Sequence, residues 1–560
     1  MSAPNTRLSG LGALFFVGTL GAIAFYVQRQ EVPETHDVVR TAATGTQAAP
    51  EEAPVAALPW QDRLDLAAAT PAPLGADAPT PAKVTKTADP DFPSLATDLA
   101  RTRLVQELSD GHRILYTLDP VLQDAALQIF RNREVPYAAA VMLDVRDNAV
   151  LALAGHSSMD PEVDPLEIVT TAWAPAASTF KLVTAASLLA NKHVNTKTRV
   201  CFSGGLHGIT DDLLLDDPRR DERCDDLGGA VAHSHNVVIA KLALKHLSAD
   251  SLQATVRSFK FDSDIPFEFP VERSPALIPA DAKERAKVAA GFWHVDMSPL
   301  HGALLASVFA RDGVYQAPHV ISQVLGPDGT DRTPALPKTE RVLSKDVAEA
   351  VGAMMVRTTT EGTARASFVD RQGNSYIAEV QVAGKTGSLT GKRAPGLNYN
   401  WFVGYAPAER PEIAFAVLLA NEPKWQIKAH YAARRLVQIY MQRRDSIADH
   451  RVAKLTKKGV ELPVEGKKPA PAASPSKPAP PEAVAARKAP AARPDPDALP
   501  PVPGPGQGRR RRAARRRAAS ERARPYRRRR GRRGLRLRVP SDVRPREAVR
   551  ACARPAARQR

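Results

Sequence analysis

Three short runs of this chain carry residues that could do chemistry together. The first is Ser178-Thr179-Phe180-Lys181, inside the apolar stretch APAASTFKLVTAASLLANK from Ala174 to Lys192. Positions i and i+3 share one face of a helix, so the Lys181 amine lies within reach of the Ser178 oxygen. A serine hydroxyl is a weak nucleophile until a base takes its proton, and a lysine is a base only after losing its own. Desolvation among apolar side chains and a second cation nearby both push a lysine toward the neutral form. The second run, Ser234-His235-Asn236, offers a hydroxyl to relay a proton and an amide to hold a carbonyl or the lysine. The third, Lys385-Thr386-Gly387-Ser388, offers an ammonium and two hydroxyls to a carboxylate, with Gly387 letting a substrate backbone approach closely. Taken singly, each has a plainer reading: a common helical tetrapeptide, an N-cap serine, a strand-to-turn exit.

The elements that must position these runs are written in the apolar pattern. AAAVMLDVRDNAVLALAG (Ala138 to Gly155) reads as two apolar strands joined around Asp147-Asn148, a hairpin. A mostly helical middle follows. Strands return with YIAEVQVAGKTGS, alternating at Ile377, Val380 and Val382, then with NWFVGYAP and EIAFAVLLAN, and a last helix runs from about Lys428 to Arg443. Strands at both ends of the block with helices between them predict an α+β fold. Its central antiparallel sheet is built from both ends and flanked by helices, beside a mostly helical subdomain.

The 48 prolines crowd into residues 50–95 and 463–506 and so bracket one long ordered block. Charge is just as uneven in a chain of formal charge +18: residues 509–560 hold 23 Arg against 3 acidic residues, which leaves the other 508 with a net charge of −2. Leu8 to Gln28 is a run of 21 uncharged residues, about the length that crosses a bilayer core. Arg7 before it and Glu31, Glu34 and Asp37 after it place residues 1–7 in the cytoplasm and the remainder outside. A cleaved signal peptide ending at Ala22–Ala24 is the alternative, and both readings export the body of the protein. The expected organisation is a cytoplasmic segment 1–7, a transmembrane helix 8–28, a largely disordered stalk 29–110, the folded block 111–445, a Pro/Ala/Lys-rich linker 446–508 and an Arg-rich disordered tail 509–560. In an exported domain Cys201 and Cys224, 23 positions apart, are candidates for a disulfide, with two buried thiols as the alternative. No metal-ligand spacing occurs, and no cofactor is expected.

The order of the three runs, with 56 residues from Ser178 to Ser234 and 151 from Ser234 to Lys385, resembles the signature of penicillin-binding proteins and serine beta-lactamases. YTLDPVLQDAALQIF (Tyr116 to Phe130) resembles the segment leading into the penicillin-binding transpeptidase domain. AAGFWHVDMSPLHGALLASVFARDGVY (Ala289 to Tyr315), GTARASF (Gly362 to Phe368) and NWFVGYAPA (Asn400 to Ala408) resemble later stretches of it. The resemblance implies a nucleophile at Ser178, a general base at Lys181, proton transfer and acyl-chain contacts from Ser234 and Asn236, and carboxylate binding by Lys385, Thr386 and Ser388. It implies an oxyanion hole from the backbone N–H groups of Ser178 and Ser388. The implied partners are peptidoglycan stem peptides ending in D-alanyl-D-alanine and beta-lactam antibiotics, together with the inner membrane through residues 8–28 and the machinery of cell-wall synthesis.

Only about 80 residues separate the apolar run from the block, so a monofunctional D,D-transpeptidase without a glycosyltransferase domain is expected, its catalytic domain in the periplasm. A D,D-carboxypeptidase differs only in the acceptor. A beta-lactamase lacks a residue that can be named as its deacylating base, and a beta-lactam sensor lacks a cytoplasmic effector. Outside the membrane the Arg-rich tail faces anionic lipid headgroups or wall polymers, not nucleic acid; a solvated extension or a C-terminus read in a shifted frame is the plainer account.

Overall fold

The computed structural model describes residues 60–74, 102–205, 208–391, 396–423 and 427–462. The expected transmembrane helix 8–28, most of the stalk and linker, and the Arg-rich tail lie outside these residues. No helix among the described residues is long and apolar enough to cross a membrane.

The chain enters through β1 (Thr70–Pro73), β2 (Thr102–Glu107) and β3 (Arg113–Tyr116), then helix α1 (Pro120–Asn132). The buried Asp119 starts α1 by accepting hydrogen bonds from the N–H groups of Val121 and Leu122, and Pro120 sits where the helix needs no donor. The expected hairpin follows as β4 (Tyr137–Asp144) and β5 (Val150–Ser157). A single 3₁₀ turn, Ala177–Phe180, runs into α2 (Lys181–Ala190). A small hairpin of β6 (Arg199–Phe202) and β7 (Arg223–Asp226) precedes helices α3 (Leu227–Ala232) and α4 (Asn236–His246). Helices α5 (Ala282–Ala289) and α6 (Pro299–Ala310), strand β8 (Ile321–Leu325) and helix α7 (Lys345–Thr360) lead to the C-terminal strands. These are β9 (Ala383–Thr390), β10 (Asn398–Ala406) and β11 (Ile413–Asn421), and α8 (Ala429–Val452) follows them.

The central sheet has the order β9-β10-β11-β4-β5, antiparallel throughout, so it is built from both ends of the block as the pattern predicts. Its inner strands are continuous apolar runs because both faces are covered. Along β11, Ala414, Ala416, Leu418 and Ala420 pack toward the helical layer that contains α2 and α6. Ile413, Phe415, Val417 and Leu419 pack toward α1 and α8. Helix α6 lies between sheet and helical subdomain and is buried on every side. One expected element is shorter than its pattern: Tyr376–Val382 is not strand, and β9 begins at Ala383. Ile377 and Val382 are buried all the same, so the alternation reported burial in a loop.

Both expected limits of the block move outward. Residues up to 110 were assigned to the stalk, yet Trp60 is buried and β1 pairs with β2 in a second antiparallel sheet, β1-β2-β3-β8. At the other end α8 runs past 445, and a hairpin of β12 (Lys454–Thr456) and β13 (Gly459–Glu461) follows. Leu455 and Val460 of that hairpin share a small core with Leu74, Val105, Leu115 and Leu325. His450 and Arg443, both on α8, hydrogen-bond the buried Asp119 carboxylate. Proline and charge content concealed these segments, because their few apolar residues find partners only in the folded chain. Ending the chain at Asp445 instead of Leu462 removes the buried Ile447, Leu455 and Val460 side chains, each stabilising by about 1.5–3 kcal/mol. It also removes His450 from Asp119. The expected outcome is a lower melting temperature for the shorter chain; equal melting curves would refute the packing role of the hairpin.

Candidate active site

The chemistry-bearing residues of the three runs meet in or directly beneath one cleft of about 330 Å³. Ser178, Ser234, Asn236, Thr386 and Ser388 line it, while Lys181 and Lys385 lie below with no exposed surface. The nucleophile turn has Ala177 at φ 49°, just before Ser178. This strained position is held from behind by Gly291 at φ 92°, where a Cβ would stand 2.3 Å from the Ala177 carbonyl oxygen. Ser234 sits at φ 61° in the break between α3 and α4, so it is not the helix N-cap that its sequence suggested.

The Lys181 amine has three neighbours: Ser178 Oγ at 2.6 Å, Asn236 Oδ1 at 2.8 Å and the Ala290 carbonyl oxygen at 2.6 Å. Burial, and secondarily the charge of Lys385, hold its pKa well below 10.5. A neutral amine has two N–H bonds and one lone pair. Asn236 Oδ1 and Ala290 O can only accept, so they take the two N–H bonds. The lone pair is thereby left facing Ser178, whose O–H donates to it. This is a serine with its base already aimed.

Lys385 projects from edge strand β9 to Ser234 Oγ and to the Thr386 carbonyl oxygen, each at 3.0 Å, and burial lowers its pKa to about 7. Among the described residues, neither lysine has a carboxylate in ion-pair contact. Thr386 Oγ1 lies 2.6 Å from Thr363 Oγ1, and Ser388 Oγ accepts from Asn400 Nδ2 at 3.0 Å. Asn400 Oδ1 in turn accepts from the Ala429 N–H at 2.6 Å, which fastens β9 to the start of α8. Among the described strands β9 pairs only with β10, which leaves its other edge without a strand partner.

Gly387 also meets a packing constraint that its sequence did not suggest. A Cβ there would lie 3.1 Å from Thr179 Cγ2 and 3.2 Å from Trp401 Cβ, so the missing side chain lets β9 close on the nucleophile turn. Cys201 and Cys224 form a disulfide across β6 and β7. The sequence reading did not single out Thr363, Asn400, Gly291, Arg223 or Lys428. Asn400 left a signal, as a polar residue in an otherwise apolar strand; the others left none, since they reach the cleft from loops and strand ends.

The fold and the cleft define a class of serine acyl-transfer proteins in which an unpaired lysine serves as base. The chain belongs to the penicillin-binding protein transpeptidase domain family, whose model matches residues 138–439, more than half of its length. It is 27% identical over 343 residues to a peptidoglycan D,D-transpeptidase, PbpA, of Mycolicibacterium smegmatis, covering 56% of this chain and 68% of that protein. It is 26% identical to PbpA of Mycobacterium tuberculosis, covering 50% of this chain and 62% of that one. The fold is also that of the D,D-transpeptidase domain of a peptidoglycan glycosyltransferase from Eggerthella lenta. That comparison has a TM-score of 0.50 at 23% identity and covers 60% of this chain and 84% of that one.

Two outcomes follow from the buried charges and the tight turn. Lys385 is held neutral in the folded state above about pH 7, but it stays protonated in the unfolded chain up to about its ordinary 10.5. Folding therefore expels a proton in that window, and stability rises with pH across it. Lys385→Met is expected to melt higher than wild type at pH 7, and the gap is expected to narrow toward pH 10; a constant gap would contradict the assignment. Gly291→Ala is expected to keep the fold but to slow acylation of Ser178 by benzylpenicillin about a hundredfold, because the added Cβ displaces the nucleophile turn. Stopped-flow labelling measures it, and a rate within twofold of wild type would refute the clamp.

Proposed function

We propose that the protein is a peptidoglycan D,D-transpeptidase that carries its acyl-enzyme on Ser178 and is blocked there by beta-lactams. The observation that carries this reading is the 2.6 Å contact between the Ser178 hydroxyl and the amine of a buried Lys181 whose pKa is lowered by that burial. In the proposed sequence Lys385, Thr386 and Ser388 hold the terminal carboxylate of a D-alanyl-D-alanine stem, which lies along the unpartnered edge of β9. Lys181 takes the Ser178 proton as Oγ bonds to the penultimate D-alanine carbonyl carbon. The backbone N–H groups of Ser178 and Ser388 receive the oxyanion. The C–N bond to the last D-alanine then breaks, and its amine leaves with a proton passed on through Ser234, whose oxygen already accepts from Lys385. An amine of a neighbouring stem attacks the ester, forms the cross-link and returns Ser178 to its starting state.

The setting proposed for this chemistry is outside the cytoplasmic membrane, with residues 8–28 as a single-pass anchor and the cell-wall synthesis machinery as partners. The uncharged run with its asymmetric flanks supports export, and so does the Cys201–Cys224 disulfide, since such bonds persist in oxidising compartments.

Full-length protein in detergent, wild type and Ser178→Ala, is incubated first with a fluorescent penicillin and then with a D-Ala-D-Ala stem peptide and an acceptor amine. Stable labelling that Ser178→Ala abolishes, with release of D-alanine and an amide product, is expected. Lys181→Met is expected to lower the acylation rate by about 10²–10⁴. D-alanine without amide product would replace the proposal with a carboxypeptidase. Rapid loss of label would replace it with a beta-lactamase, and stable label without D-alanine release would replace it with a sensor.

A further inference from the structure

The disulfide-closed hairpin of β6 and β7 forms one wall of the cleft and takes no part in the chemistry above. Its cross-strand pair next to the disulfide is Phe202 opposite Arg223, and both side chains line the cleft. Phe202 is buried, and its ring lies 4.9 Å from that of His235, the middle residue of the second run. The Arg223 guanidinium lies over the same ring, 4.8 Å from the Phe202 centroid. Its one hydrogen bond is a long one, 3.4 Å, to the Gly204 carbonyl oxygen.

Among the described residues, Arg223 has no carboxylate partner. Of the acidic residues near it in sequence, Asp221 pairs with Lys241, Asp225 with His235 and the Asp226 N–H, and Asp226 with Arg357 and the Gly229 N–H, while Glu222 makes no ion pair with it. Gly205, behind it, is held as well. The Gly205 carbonyl accepts from Asn236 Nδ2 at 3.1 Å, and a Cβ on Gly205 would meet Val237 at 2.2 Å. Arg223 is thus an exposed guanidinium fork that lines the cleft, stacked on Phe202. Such a fork is shaped for a carboxylate.

We infer that Arg223, held on Phe202 by the hairpin, binds a second carboxylate of the donor, carried on a stem-peptide side chain ahead of the D-alanyl-D-alanine pair. The inference rests on the transpeptidase reading. With the terminal carboxylate held at Thr386 and Ser388 and the reacting carbonyl at Ser178, the remainder of the stem has to leave past Asn236. Beyond Asn236 lie Gly205, Phe202 and Arg223. Arg223 is therefore a specificity residue that separates stems bearing an acidic side chain from stems whose corresponding side chain is amidated or bears only an amine. Lys428, which also lines the cleft, enters from the start of α8 beyond Asn400 and Ser388, and serves the other end.

The test uses the full-length protein and two synthetic stem peptides that differ only in a side-chain carboxylate or carboxamide at the residue preceding D-alanyl-D-alanine. The readout is the ratio of kcat/KM for D-alanine release from the two. The ratio is expected to favour the carboxylate about tenfold in wild type, to fall to about one in Arg223→Gln, and to invert in Arg223→Glu. Arg223→Lys is expected to keep part of the preference, since it retains the charge and loses the fork. A ratio near one in wild type, or a ratio unchanged by Arg223→Glu, would overturn the assignment. Penicillin labelling of each variant separates the two levels of failure. Labelled wild type that releases D-alanine from neither peptide overturns the transpeptidase reading itself, and with it the role of Arg223.

Discussion

The structure depends on keeping two lysines under the same cleft without a carboxylate to neutralise either. An unpaired ammonium in a buried site is costly, and the folded chain meets the cost by letting protons go. Lys181 then has a free lone pair, and the two carbonyl oxygens around it leave that lone pair only Ser178 as a donor. Removing either acceptor would let the amine turn away. The chemistry of the site thus follows from a solvation problem solved by deprotonation.

Everything close to the site holds this arrangement in place. Asn236 is fixed by the Gly205 carbonyl as it accepts from Lys181, so the small hairpin reaches the base through one amide. Gly291 and Gly387 let a loop and a strand close on the nucleophile turn from two sides. Trp401, wholly buried on β10, donates from its indole to the Pro175 carbonyl and ties that turn to the sheet. Asn400 joins Ser388 to the first residue of α8. Each contact is local, but together they require the sheet, the helical layer and the C-terminal helix to be assembled before the site exists.

The second sheet and the C-terminal hairpin serve the ends of the chain. The hairpin covers Leu115 and Val105 of the second sheet, and just ahead of it Arg443 and His450 of α8 hold the buried Asp119, which locks the start of α1 to the end of α8. Segments of this kind have too few apolar residues to read as structure by themselves. Trp60 and Val460 become core residues only because something lies opposite them.

The sequence by itself determined the chemistry and the shape of the central sheet. Ser178, Lys181, Ser234, Asn236 and Lys385 could be picked out because the three runs stand together in an order and spacing that resemble the penicillin-binding signature, whereas each run alone had a plainer reading. The strands β4, β5, β10 and β11 were legible because a sheet covered on both faces demands unbroken apolar runs. Tertiary structure decided what those residues do to one another. The lowered pKa of Lys181 comes first from burial under the folded chain and second from Lys385, which is 204 positions away. The direction of its lone pair needs Ala290, a backbone carbonyl with no sequence signature. The purpose of Gly387, the closing of Cys201 on Cys224, and the placing of Arg223 at the cleft are likewise contacts between distant segments, and contacts of that kind are fixed by packing and not by residue type.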